Sequence, residues 1–194
     1  MTKIAVFASG SGSNLEALLQ AVKAGRLAAK IELVVCDKPG AYCLKRAALW
    51  GVPYLVFDPA GFASKAGYEK LIWETLKPLG VQYLILAGYL RLIGPTLLER
   101  YPKRIINIHP SLLPQFPGLD AIGQALAAGV NESGVTIHYV DQGIDTGPII
   151  AQKKVVLSPA ETRASLEAKI HRLEHRLYPE VLQRIFQSEG GELC

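Results

Sequence analysis

Short, unbroken apolar runs recur along the first half of the chain, spaced so that one helix fits between each pair. They are "KIAVFAS" (3–9), "IELVVC" (31–36), "YLVF" (54–57), "QYLILA" (82–87) and "RIINIH" (104–109). A strand that is apolar at nearly every position is buried on both faces, the condition of a parallel sheet covered by helices. The intervening segments 14–25, 41–50, 66–77 and 95–101 mix apolar and polar positions as helices do. Alternating strand and helix predicts an α/β fold: a doubly wound, Rossmann-like, mostly parallel twisted sheet with right-handed crossovers.

The pattern changes in the second half. After a helix expected at 120–128 come "GVTIHYV" (134–140) and "GPIIAQKKVVL" (147–157), joined by "DQGIDT" with no room for a helix. That predicts a mixed or antiparallel C-terminal extension of the sheet. A last helix is expected over about 161–187, where Leu166, Ile170, Leu173 and Leu177 form one core-facing stripe. No internal repeat, low-complexity segment or linker interrupts the sequence, so residues 1–194 are expected to form a single domain.

Composition narrows the classes of function. Of 194 residues, 49% are apolar and 20% charged, as in ordinary globular proteins. The net charge of +4, with no Lys/Arg block, gives no footprint for nucleic acid. No segment approaches the ~18 apolar residues of a membrane span. The opening "MTKIAVFASG" runs straight into a glycine loop rather than a signal peptide. Cys36, Cys43 and Cys194 are odd in number and contain no CxxC pair, which points to a reducing, cytoplasmic setting. Monomer and homodimer both stay open.

Candidate chemistry begins at "ASGSGSNLEALL" (8–19), which follows the first strand and opens the first helix. Gly10 and Gly12 start a G-x-G-x-x-G pattern, but Leu15 stands where its third glycine belongs, so the dinucleotide fingerprint is incomplete. Glycines at a helix N-terminus still suit an anion, and a phosphomonoester fits better than a dinucleotide. The bland alternative is a turn capped by Ser13 or Asn14.

The run "RIINIHPSLLP" (104–114) ends a buried strand in two side chains that need hydrogen-bond partners. Asn107 and His109 are two apart, so they share a face at the strand's C-terminal end, where open α/β sheets bind ligands. Together they could stabilise an oxygen that turns negative during acyl transfer. "VDQGIDTGPII" (140–150) offers Asp141 and Asp145; either is a turn former or the carboxylate that raises the pKa of His109. No G-x-S-x-G elbow or nucleophilic cysteine stands out, which favours direct attack between substrates over a covalent enzyme intermediate. The stretch "HRLEH" (171–175) satisfies a zinc-protease pattern. Only 19 residues follow it, and the leucine stripe accounts for the helix, so no metal is expected there.

"NIHPSLLP", "LAGYLRLI" (86–93) and "DTGPII" (145–150) together resemble the folate-dependent formyltransferases. The "SGSGSN" opening is similar to the members acting on phosphoribosylglycinamide, and the resemblance spans Ile4 to about Pro179. It implies formyl transfer from 10-formyltetrahydrofolate to the glycinamide amine, with Asn107, His109 and Asp145 as catalytic trio and no metal. It implies ribonucleotide binding by Gly12, Ser13, Asn14 and Glu174. Folate would be read by Leu90, Arg91, Leu92 and Ile93, together with Asn107 and the loop Asp141, Gln142, Gly143, Ile144 and Asp145. Lys65 would lie near the folate's glutamate tail. After "FPG" some relatives carry a histidine where this chain reads "LDAIGQAL", and relatives vary at the position of Gln115; neither Asp120 nor Gln115 is given a role. The alternatives are a deformylase-like hydrolase of the same donor and a non-enzymatic nucleotide-binding module. A methionyl-tRNA formyltransferase would need an RNA-binding region for which the chain has no room. The run 110–118, with Pro110, Pro114 and Pro117, is the place to expect a cis bond.

Overall fold

A computed structural model describes residues 1–190 of the chain, with side chains through Ser188; Cys194 lies outside them. The five apolar runs form β1 (Thr2–Phe7), β2 (Ala29–Cys36), β3 (Tyr54–Val56), β4 (Tyr83–Leu86) and β5 (Ile105–His109). Between them lie α1 (Ser13–Lys23), α2 (Tyr42–Leu49), α3 (Lys65–Leu76) and α4 (Pro95–Leu98). The expected 95–101 helix is thus a single turn, and Pro102 disfavours helical backbone at Tyr101. The second half supplies α5 (Ala121–Ala127), β6 (Glu132–Tyr139), β7 (Ile149–Val156) and α6 (Arg163–Gly190). The one cis peptide bond among the described residues is Leu113–Pro114, inside the proline-rich run.

All seven strands join one sheet in the order β3-β2-β1-β4-β5-β6-β7. Strands β1 to β5 pair in parallel, while β6 runs antiparallel to β5 and β7 antiparallel to β6. The expected extension is therefore present. Alternation sorts the core into two layers. Ile4, Val6 and Ala8 meet α1, α2 and α6 through Leu15, Leu18, Ala47 and the stripe Leu166, Ile170, Leu173 and Leu177. Ala5 and Phe7 face the other way, onto Tyr68, Ile72 and Leu76 of α3 and Leu97 of α4.

The topology fixes where a ligand can sit. The chain runs outward from β1 through β2 to β3 and then crosses back to β4 on the other side of β1, and this reversal opens a crevice at the strands' carboxyl ends. The glycine loop after β1, residues 88–93 after β4 and the end of β5 all converge there. Helix α6 ties the crevice together. The buried Tyr178 hydroxyl donates to the carbonyls of Leu86 (3.0 Å) and Ile106 (2.9 Å), one on β4 and one on β5.

Removing that donor leaves two buried carbonyls less well satisfied. Tyr178→Phe is expected to cost about 1–2 kcal/mol without changing the fold. Urea denaturation should show a lower midpoint at unchanged slope; an unshifted midpoint would mean the hydroxyl adds nothing.

Candidate active site

Strand β5 delivers Asn107 and His109 to one face, as their spacing demands. Strand β6, paired antiparallel, sets His138 directly opposite Asn107. A register shift between Ile137 and His138 in the β6–β7 pairing locally re-aims this residue. Because β6 runs against β5, the loop after it starts at the far end of β5 and must fold back over the sheet. Gly147 allows this, since any Cβ there would strike the Tyr139 carbonyl. Asp145 completes the return in a left-handed conformation (φ 54°), which aspartate tolerates better than most residues.

The Asp145 carboxylate ends at the centre of a cluster. Its Oδ2 accepts from the Gly118 N–H (2.8 Å) and lies 3.3 Å from His109 Nδ1. Its Oδ1 lies 3.4 Å from Asn107 Nδ2 and 3.5 Å from His138 Nε2. Asn107 Nδ2 is also 3.2 Å from His138 Nε2. His138 Nδ1 sits 2.8 Å from the Tyr139 carbonyl, which assigns the proton to Nδ1 and leaves Nε2 to accept from Asn107. His109 Nε2 lies 2.8 Å from the Phe116 carbonyl. Both ring nitrogens of His109 thus face oxygen acceptors.

Burial works to raise the Asp145 pKa. His138, whose Nε2 can donate to the carboxylate only when the ring is doubly protonated, together with the Gly118 N–H and the neighbouring His109, outweighs it, and the group is held below the ordinary carboxylate value. Asp145 acts to raise the His109 pKa, as expected, but it does not decide the net shift. Burial is the largest influence on His109 and lowers its pKa; the Phe116 carbonyl and Asp145 oppose it without reversing it. At neutral pH the site therefore holds a charged Asp145 beside a largely neutral His109.

The cluster lines a cavity of about 660 Å³. One wall is the glycine loop with Ser13 and Asn14 at the start of α1. The helix is entered from Gly12 in a left-handed conformation (φ 71°) with no side-chain cap, so neither Ser13 nor Asn14 acts as N-cap. The first turn's N–H groups are left available to an anion. Gly12 is required for packing as well, because a Cβ there would lie 2.7 Å from Cys43 Cβ. From α6, the buried Glu174 accepts from Asn14 Nδ2 (3.0 Å), while Asn14 Oδ1 is buried without a partner among the described residues. Elsewhere the cavity has an apolar rim, where Leu90, Leu92, Leu119 and Ile144 stay exposed.

A formyl transferase domain model matches residues 2–182. The chain is 50% identical over 185 residues to phosphoribosylglycinamide formyltransferase of Bacillus subtilis (strain 168), covering 95% of each protein. The chain belongs to the formyl transferase family. It is also 42% identical over 182 residues to the trifunctional purine biosynthetic protein adenosine-3 of Drosophila melanogaster, covering 93% of this chain and 14% of that protein. Among solved structures it superimposes on glycinamide ribonucleotide transformylase 1 of Geobacillus kaustophilus with a TM-score of 0.93 at 55% identity, covering 95% and 98% of the two chains. Phosphoribosylglycinamide formyltransferase of Bacillus halodurans gives a TM-score of 0.93 at 50% identity, covering 95% of each.

In this formyl transferase most residues expected at the site line the one cavity. They are Gly12, Ser13, Asn14 and Glu174; Leu90, Arg91, Leu92 and Ile93; Asn107 and His109; and Asp141, Gly143, Ile144 and Asp145. Gln142 and Lys65 do not line it; Lys65 is exposed at the start of α3, beside Gly94. Asp141 is the turn former of the two loop aspartates, accepting from the Gly143 N–H (3.0 Å) and Thr146 Oγ1 (2.7 Å). Asp120 caps α5 and pairs with Arg163 at 2.6 Å, and Gln115 is not in the cavity wall. His171 lines the cavity and His175 does not; no set of three metal-ligating side chains occurs among the described residues.

Sequence reasoning missed His138, Ser9 and Asp37. Ser9 Oγ donates to Asp37 (2.5 Å) and accepts from the Leu90 N–H (2.9 Å), and Arg91 Nε donates to Asp37 (2.8 Å). This network pins residues 90–91 to the ends of β1 and β2. The polar Ser9 and Asp37, each just past an apolar strand, were the available signal.

Burial raises the Glu174 pKa to about 7 against the single hydrogen bond from Asn14. From pH 4.5 to about 7 the folded chain holds a proton that the unfolded chain has released, so stability falls as pH rises through this window. The deficit, roughly 3 kcal/mol as an upper bound, is complete above the folded value. Glu174→Gln should therefore gain stability over the parent protein between pH 5 and pH 8 in urea titrations; an equal gap at both ends would show that Glu174 is not buried neutral.

Proposed function

We propose that the chain transfers a formyl group from 10-formyltetrahydrofolate to the amine of 5-phosphoribosylglycinamide, giving formylglycinamide ribonucleotide and tetrahydrofolate in purine biosynthesis. The observation that carries this reading is one cavity that combines the Asn107–His109–Asp145 cluster with an uncapped glycine loop and an apolar rim. The similarity to phosphoribosylglycinamide formyltransferases over nearly the whole chain supports it. Residues 1–194 are read as a single catalytic domain acting on small molecules, without a metal.

The loop N–H groups of α1 would hold the ribonucleotide phosphate. Asn14 Oδ1 and Glu174 are acceptors suited to the hydroxyl or amine hydrogens of that substrate. The exposed leucines and Ile144, with the backbone of 90–93, would receive the flat ring system of the donor. When bound, the donor supplies the formyl carbon that the amine attacks.

The chain's own groups manage charge and protons. Asn107 keeps one amide hydrogen on His138, while its second is held only at 3.4 Å by Asp145 and can turn to the formyl oxygen. That oxygen accepts far more strongly once it carries negative charge, so the contact favours the transition state over bound substrate. His109, neutral at rest and 3.3 Å from Asp145, can take up a proton and become an imidazolium beside a carboxylate. The pair can thus hold the proton that the attacking amine loses and return it to the leaving nitrogen.

Formyl transfer should be followed spectroscopically with both substrates. Asn107→Ala and His109→Ala should each lower kcat about a hundredfold with little change in KM, and the double variant should lose less than the product of the two. Asp145→Asn keeps a residue that tolerates left-handed backbone and should lose about a hundredfold as well. Raised KM at unchanged kcat would reduce the cluster to a binding role.

Gly12 cannot test the phosphate loop, because any side chain there collides with α2. Gly10 can, since a Cβ at this position meets nothing within 4 Å. Gly10→Ala should retain its melting temperature yet raise KM for the ribonucleotide severalfold, leaving KM for the folate unchanged. Equal rises for both substrates would count against phosphate binding at the loop.

A further inference from the structure

Two buried thiols lie under the glycine loop, and formyl transfer uses neither. Cys36 is the last residue of β2 and Cys43 the second of α2. Both are free and fully buried, and their Sγ atoms are 3.6 Å apart. A disulfide bond is about 2.05 Å long, so the sulfurs need to approach by about 1.5 Å.

Cys43 is fastened to the loop. Its N–H donates to the Gly10 carbonyl (3.0 Å), and its Cα and Cβ pack so closely on Gly12 that no side chain fits there. Three residues later on α2, Arg46 Nε donates to the Ser11 carbonyl (2.9 Å). Gly10, Ser11 and Gly12 therefore rest on α2 and move when its first turn moves.

We propose that Cys36 and Cys43 form a reversible redox pair, oxidised by a hydroperoxide to a disulfide that displaces the Gly10–Gly12 loop. The Cys36 thiolate attacks the peroxide, forming an S–O bond and breaking the O–O bond, and water leaves. Cys43 then attacks the Cys36 sulfenic sulfur; the S–S bond forms, the S–O bond breaks, and hydroxide leaves as water with the Cys43 proton. Two thiols lose two electrons in total, and one hydrogen peroxide gives two waters. The electrostatics agree with this order: donation from Cys43 lowers Cys36 to about 7 against burial, whereas the same contact raises Cys43. Cys36 has no exposed surface, so the oxidant gains access when the exposed residues 38–40, whose first carbonyl lies 3.3 Å from Cys36 Sγ, move aside. A transient pair of this kind is compatible with a reducing compartment.

The test uses the Cys194→Ser protein, in which Cys36 and Cys43 are the only thiols. After hydrogen peroxide treatment, alkylation under denaturing conditions and intact-mass measurement should show both thiols protected, and dithiothreitol should restore them. Hydrogen exchange of the 8–16 segment should accelerate in the oxidised protein. These two readouts need no substrate and stand apart from the proposed function. Calorimetry should then show phosphoribosylglycinamide binding weakened about tenfold, with folate binding within about twofold. In a further Cys36→Ser variant, peroxide should leave each of these readings where it was before treatment. The proposal is overturned if no disulfide forms in the folded protein, if it forms without altering exchange at 8–16, or if the Cys36→Ser protein responds equally.

Discussion

A half-buried carboxylate has to remain charged at the heart of the cavity, and much of the surrounding structure answers that demand. Desolvation works against the charged form of Asp145. The Gly118 N–H, Asn107, His109 and His138 counter it, and they come from a loop and two strands far apart in the chain. The same contacts decide the state of His109. A buried imidazole prefers to be neutral, but one resting against a fixed carboxylate gains a proton at modest cost. A capacity to take up a proton thus arises from the conflict between burial and one ion, which the Gly118 N–H helps to hold in place.

That arrangement needs the change of strand direction at β5. A parallel neighbour would require a crossover of a dozen or more residues and would return the chain behind the sheet. An antiparallel β6 puts His138 beside Asn107 and releases its following loop at the N-terminal end of β5, away from the cavity. The loop then has to climb back along β5, which is why it contains Gly147 and a left-handed Asp145. The parallel half serves a different purpose. Its switch point between β1 and β4 brings together a helix start with no side-chain cap and a stretch of backbone, 90–91, pinned by Ser9 and Asp37.

The sequence displayed the architecture clearly because its signals are local. Apolar runs, the leucine stripe of α6 and the absence of a helix between β6 and β7 all appear in the structure within a few residues of expectation. Asn107 and His109 were legible as a same-face pair, and the family resemblance singled out Asp145 over Asp141. What escaped notice depends on long-range register and on backbone groups. His138 becomes a partner only when β6 is aligned against β5. The Phe116 carbonyl and Gly118 N–H carry no sequence mark. The effect of Asp145 on His109 was foreseen with the right sign, whereas the depth of burial that outweighs it carries no local mark in the sequence. Gly12 was read as room for a ligand, and it proves equally to be room for α2.

Two carboxylates in one cavity are driven to opposite states, and the contrast says what the cavity is prepared to receive. Asp145 has several donors and stays ionised without any ligand. Glu174 has only the Asn14 amide, and burial moves it to about 7. Beside it Asn14 Oδ1 faces no donor among the described residues. A native structure keeps buried acceptors this poorly satisfied at a cost in stability, and such sites mark function more often than accident. Donors supplied from outside would relieve both groups at once and pull Glu174 toward its charged form. The wall next to the glycine loop therefore gives up stability that hydroxyl or amine hydrogens reaching Asn14 Oδ1 and Glu174 would restore.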